Sequence, residues 1–205
     1  MTRLICCLAV LAALVVPASA DINLVTNGTF DTGCADWVGS PTPFNTPGYN
    51  QCVIPPTSSI PVLTEGNPGG FVVLNDMPAV LVSMTQAISG LTIGTTYKLT
   101  WDMASAYRNY GSSVVAGAGA EIDGNLWEFI VPNSQLWTGY SETFTYSGVS
   151  NVLTFSAQRN GTDTDAAFDN ITLSAVPEPN TPLLLGLFLG VAAGLGGTLR
   201  RLRVI

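Results

Sequence analysis

The apolar weight of this chain is gathered into two uncharged runs, Leu4 to Val16 and Leu183 to Leu199, one at each end. Runs of this kind are read as targeting or membrane segments before any fold is argued, because counting them as core distorts the domain between them. At the N-terminus, Arg3 precedes the first run, Pro17 interrupts it, and Ala18-Ser19-Ala20 supplies small residues for a signal peptidase. This predicts a secretory signal over residues 1–20 cleaved after Ala20, with Ala18 and Ala20 as the recognition positions. A transmembrane anchor is the alternative, but the run is shorter than the ~20 residues a bilayer wants. No small-residue pattern ending in cysteine closes the run, which disfavours a lipoprotein. Cys6 and Cys7 leave with the signal. At the other end, 17 residues without a charge make a helix about 26 Å long, enough for the hydrocarbon core. Arg200, Arg201 and Arg203 follow at once and mark the cytoplasmic side. The expectation is one transmembrane helix over about 183–199 with everything before it outside.

One domain, residues 21–175, is left between the ends. Up to Val176 it carries Lys98, Arg108 and Arg159 against 13 carboxylates, a net charge of −10. Phosphate backbones repel such a surface, so nucleic-acid binding is disfavoured. Cys34 and Cys52 are the cysteines that remain, and in an exported chain they read as one disulfide. A metal pair is the alternative, but the chain has no histidine and no second cysteine pair for a zinc site.

The middle of the chain alternates with period two. Tyr97, Leu99, Trp101 and Met103 fall on one side of a segment whose other side is Lys98, Thr100 and Asp102, the mark of a half-buried strand. Asn151–Arg159 repeats it with Leu153, Phe155 and Ala157, and Glu142–Tyr146 and Ile171–Leu173 add two more strands. Asp123-Gly124 between apolar residues predicts a hairpin. Residues 38–78 hold eight prolines and read as loop-rich. No stretch reads as a soluble helix, so the fold class is all-β, a jelly-roll sandwich.

Two segments resemble known families. Val176-Pro177-Glu178-Pro179, the apolar run and Arg200-Arg201 closely resemble, over residues 176–205, the PEP-CTERM sorting signal of exported proteins in bacteria that make exopolysaccharide. The resemblance implies recognition by an exosortase, with Pro177, Glu178 and Pro179 as substrate positions. Two prolines keep that stretch extended, as a protease substrate should be. The domain resembles galactose-binding-like carbohydrate-binding modules. It opens with Asn27-Gly28-Thr29-Phe30-Asp31 and then Trp37, continues with Gln86, Gly90-Leu91, Gly94 and Tyr97, and closes with Phe168-Asp169-Asn170-Ile171-Thr172-Leu173. This resemblance implies a structural Ca²⁺ between Asp31 and Asp169, since the ion takes carboxylate and backbone oxygens. The other reading is that Asp31 caps a turn and Asp169 begins a strand.

Sugar binding needs flat aromatic faces beside planar polar groups. Tyr107, Tyr110, Trp127 and Trp137 are the aromatic candidates, whereas Trp101 and Phe144 read as core and Trp137 is open to either role. Asp102, on the outer side of its strand, and Arg108, in the loop after it, supply the polar groups. The candidate ligand set is therefore Asp102, Tyr107, Arg108, Tyr110 and Trp127. Without histidine, Ser-His-Asp and Cys-His nucleophile systems are excluded. The remaining alternative is a glycoside hydrolase working through paired carboxylates; Glu121, Asp123 and Glu128 are close in sequence, but on a hairpin they read as solvated. Asn160–Asp165 lacks the downstream glutamate of an EF-hand loop and reads as a turn. The expectation is a non-catalytic exported protein. It is held at the inner membrane before processing, then placed at the cell surface or in the matrix. It contacts exopolysaccharide or, alternatively, other envelope proteins.

Overall fold

A computed structural model describes residues 22–40, 50–53, 69–74, 81–107, 116–132, 135–158 and 164–177. Ten strands are formed: β1 Val38–Ser40, β2 Asn50–Val53, β3 Phe71–Leu74, β4 Val82–Ala87, β5 Thr96–Tyr107, β6 Ala116–Ile122, β7 Asn125–Val131, β8 Thr138–Thr145, β9 Val152–Gln158 and β10 Thr164–Ala175. They pair into two five-stranded sheets, one in the order β1-β4-β9-β6-β7 and the other β2-β3-β10-β5-β8. Every pairing is antiparallel. The described residues contain no helix, and none therefore crosses a membrane as one. Residues 1–20, Glu178, Pro179, Arg200, Arg201 and the run 183–199 lie outside them.

The alternation seen in the sequence places the core. Tyr97, Leu99, Trp101 and Met103 of β5 pack with Leu153, Phe155 and Ala157 of β9 and with Phe168, Ile171 and Leu173 of β10 between the sheets. Trp101 sits at the centre, stacked on Tyr140 and meeting Phe129 and Phe155 edge-on. The closing strand is much longer than Ile171–Leu173, because Ala166 and Ala167 continue the ladder with β5 and β3.

The stretch expected to be loop-rich contains β1, β2 and β3. β3 is the instructive one. All four of its residues are buried, so it has no polar face and no alternation to read. Cys34 and Cys52 are joined, with Cα atoms 5.5 Å apart, and tie the opening segment to β2. Reduction, or the pair Cys34→Ser with Cys52→Ser, is expected to lower stability by roughly 3 kcal/mol, measurable by urea unfolding with and without reductant.

The opening motif is a staple. Asn27 Nδ2 donates to the carbonyls of Gly33 and Ala35 at 2.9 and 2.8 Å, and Trp37 Nε1 donates back to the Asn27 carbonyl at 3.1 Å. Phe30 is fully buried with φ of 53°, a left-handed conformation that costs roughly 1–2 kcal/mol in a non-glycine residue and is held here by its ring packing on Trp37. Gln86 of β4, also buried, donates to the carbonyls of Thr26 and Asp36 and accepts from Thr26 N. Tyr97 Oη accepts from Thr92 N at 2.9 Å. Each recognisable residue of the motif thus has a bond or a packing duty within the fold.

Candidate functional site

The two sheets are not equivalent on their outer faces. On β2-β3-β10-β5-β8, the residues that point away from the core form lateral rows fixed by the strand register. One row runs Val73, Ala167, Ala104 and then to Trp137, immediately before β8. The next contains Asp169, Asp102 and Gly139. Beyond a register shift in β10 come Thr172, Thr100 and Ser141, then Ser174, Lys98 and Thr143. An apolar end therefore passes into a polar one on a single face.

At the apolar end Val53, Phe71, Val73, Ala104 and Ala167 form a second cluster, separate from the main core, with Trp137 packed against it. Trp137 is half-buried and meets Phe71 edge-on at 5.7 Å between ring centroids. Ala104 and Ala167 lie between Trp137 and Val73 in one row, and both are fully buried. At the polar end Asn170 has φ of 50° at the register shift, which turns its side chain so that Nδ2 donates to Asp102 Oδ2 at 3.0 Å. Its backbone N donates to Asp169 Oδ1 at 2.7 Å. Thr100 and Thr172 hydroxyls are 2.6 Å apart. The Asn170 amide, the Asp102 carboxylate and the Thr100 and Thr172 hydroxyls, all half-buried, thus lie on the same face as Trp137, while Asp169 is buried beneath them.

Of the residues expected at the site, Asp102 lies on this face and is half-buried. Tyr107 ends β5, paired with Thr164, and its side chain is outside the described set, as are Arg108 and Tyr110. Trp127, expected on an open surface, points between the sheets instead. It pairs with the buried Ala120 and packs on Phe144 at 6.1 Å, while Leu126, Glu128 and Ile130 take the outward positions of β7. The reason is the hairpin: the Asp123-Gly124 turn, with φ of 55° and 75°, sets Ile122 against Asn125, and parity then carries Trp127 inward. Asp123 itself, expected to be solvated, is buried. Trp137, Asn170 and the threonine pair were not in the expected ligand set. Trp137 was an aromatic candidate open to either role, and no local signal decides between them, because the alanines it packs against come from β5 and β10.

Asp31 is exposed and tied to the start of β3: Oδ1 accepts from Gly70 N at 3.3 Å, and Oδ2 from the Thr29 hydroxyl at 2.8 Å. Asp169 is almost fully buried. Among the described residues no three histidine, cysteine, aspartate or glutamate side chains come together to hold a metal. A calcium shell takes six to eight oxygens, so an ion between Asp31 and Asp169 would need backbone oxygens beside these two carboxylates, each of which already accepts from an N–H or O–H donor. Asp31 joins the opening motif to β3 through its bond from Gly70 N.

No family model and no curated protein matches the chain. Solved structures do. TmCBM61, determined in complex with β-1,4-galactotriose, is similar over 76% of this chain and 99% of its own, with a TM-score of 0.50 and 14% identity. The tandem CBM22-1–CBM22-2 domain of Paenibacillus barcinonensis Xyn10C is similar over 82% of this chain and 49% of its own, with a TM-score of 0.50 and 9% identity. The enzymatically active domain of bacteriophage CBA120 tailspike protein 4 is also similar, with a TM-score of 0.50 and 14% identity over 76% of this chain, but this chain spans only 22% of that domain. At such identities the likeness is one of architecture: this chain has the two-sheet fold found in carbohydrate-binding modules.

Proposed function

We propose that this is an exported, non-catalytic protein whose outer face on β2-β3-β10-β5-β8 binds carbohydrate, the host's exopolysaccharide being the natural ligand. The observation that carries the reading is Trp137, half-buried against Ala104 and Ala167, in the row next to the half-buried Asp102. A sugar ring lays its C–H face on an indole and offers hydroxyls to carboxylate and amide groups at the edge. The galactotriose complex of TmCBM61 supports this reading. Asp102 and Asp169 are neighbours on paired strands rather than acids facing each other across a cleft, and the chain has no histidine; catalysis is left out. The C-terminal segment, with Pro177-Glu178-Pro179 and the run 183–199, holds the protein at the inner membrane until an exosortase processes it.

Affinity electrophoresis in gels containing the host's polysaccharide, galactan or xylan tests the binding. Retardation is expected in at least one of these gels, and Trp137→Ala is expected to weaken it by about 2 kcal/mol, roughly 30-fold. Equal retardation of the variant, or none for the native chain, would overturn the reading. A second reading, an envelope protein that binds other proteins, draws on the outer positions of β7, where Leu126 and Ile130 are 57% and 67% exposed on an edge strand. Leu126→Lys with Ile130→Lys is expected to leave glycan retention unchanged. If instead a pull-down from envelope extract loses a partner that the Trp137 variant keeps, the second reading holds.

A further inference from the structure

One pole of the sandwich is built differently from the rest of its surface. It gathers the ends of β4, β8 and β10, the β6–β7 hairpin and the starts of β5 and β9. Val176 N donates to Thr96 O, Ile88 N to Asn151 O and Gly94 N to Tyr146 O, which closes the loops upon one another. The segment around Leu24 joins them, since Leu24 N donates to Leu173 O. Of the four most exposed large apolar side chains among the described residues, Leu136 at 73% lies elsewhere, and the other three, Ile22 at 72%, Ile93 at 72% and Val149 at 75%, belong to this pole.

Two of the three are held outward rather than left loose. Val149 sits in a loop whose backbone N–H groups at Ser147, Val149 and Ser150 all donate to the Asp123 carboxylate. Ile93 packs against Gly148, where a Cβ would come within 2.9 Å of its Cδ1. Single exposed apolar residues are ordinary on a protein surface; here Ile93 lies against Gly148, the residue before Val149, so two of them are set outward on adjoining loops. The chain also leaves the domain here. Only residues 177–182 separate Val176 from the first residue of the apolar run, Leu183. Fully extended, they reach roughly 25 Å. This pole is therefore the part of the domain that cannot move far from a bilayer entered at Leu183, and a short tether turns weak contact into a local, high-concentration encounter.

We infer that the pole bearing Ile22, Ile93 and Val149 rests on the lipid surface before the C-terminal segment is cut, with these side chains in the interfacial layer. The inference rests on the membrane reading of residues 183–199 above, and lipid is the occupant because the six-residue tether keeps this pole within roughly 25 Å of the bilayer; the acidic domain makes a zwitterionic surface the better probe than an anionic one. The outer face with Trp137 stays lateral to this contact and free for glycan.

The test uses the mature chain, residues 21–205, in phosphatidylcholine vesicles, with single spin labels at Ile93→Cys, Val149→Cys and, as control, Leu136→Cys; all three sites are exposed, and the two native cysteines are engaged in the disulfide. Flotation comes first. If the chain does not float with the vesicles, the membrane reading fails and this inference falls with it. If it floats, the labels at 93 and 149 are expected to be more accessible to oxygen than to a water-soluble nickel reagent, with the order reversed at 136. A chain that floats with labels 93 and 149 as accessible to nickel as 136 overturns the lipid contact while leaving the membrane segment intact.

Discussion

Gly28→Ala is expected to destabilise the domain by about 4 kcal/mol, a drop of roughly 10 °C in Tm for a domain of this size. An added Cβ would stand 2.0 Å from the carbonyl oxygen of Ile171 and 3.0 Å from its carbon. Both are backbone atoms, so no rotamer change can relieve the contact. The same two residues share a hydrogen bond, Ile171 N to Gly28 O at 2.9 Å, and separating the backbones to admit a methyl group breaks it. The damage then spreads along the staple, because Asn27 organises the turn through Gly33 and Ala35 while Leu24 and Asn23 pair with Leu173. Urea unfolding of purified domain reads the loss. A shift below 1 kcal/mol would mean that the opening segment is not clamped to β10 as described.

This clamp explains what was and was not legible in the sequence. The opening and closing motifs were readable because their residues do fixed backbone work: Gly28 admits β10, Gln86 binds Thr26 and Asp36, and Tyr97 caps Thr92. Such residues report the fold and carry no information about a ligand. The half-buried strands β5 and β9 were readable from alternation, whereas β3, buried on both sides, had none. The site was the hardest part. Asp102 could be placed outward from its own strand, but the Trp137 platform depends on Ala104 and Ala167, brought together by register across three strands. Trp127 was legible in principle. The Asp123-Gly124 hairpin pairs Trp127 with Ala120, and parity from the apolar Ile122 would have turned it inward.

Asp123→Ala is the second large effect, expected at about 4 kcal/mol. Asp123 is 5% exposed, and its carboxylate accepts the backbone N–H groups of Ser147, Val149 and Ser150, the latter two at 2.7 and 3.2 Å. Alanine removes the acceptor for all three and must also adopt φ of 55°, which disfavours any residue but glycine, asparagine or aspartate. Asp123→Asn separates these contributions. It tolerates the turn but loses the charge, so its cost is expected to be about 2 kcal/mol. The pH dependence follows from the sign of the shift. Burial pushes the carboxyl up, but the bonds from Ser147, Ser150 and Val149 outweigh it and hold the pKa below the ordinary 3.8. Its folded pKa is thus depressed relative to the unfolded chain. The contribution is fully present above the unfolded pKa and is lost as pH falls through the folded one. Native and Asp123→Asn proteins should therefore differ most at neutral pH and draw together in the acid range below 3.8. A gap between their unfolding free energies that stays constant from pH 7 to pH 2 would show that the bonds to the 147–150 loop do not depend on the ionised carboxylate.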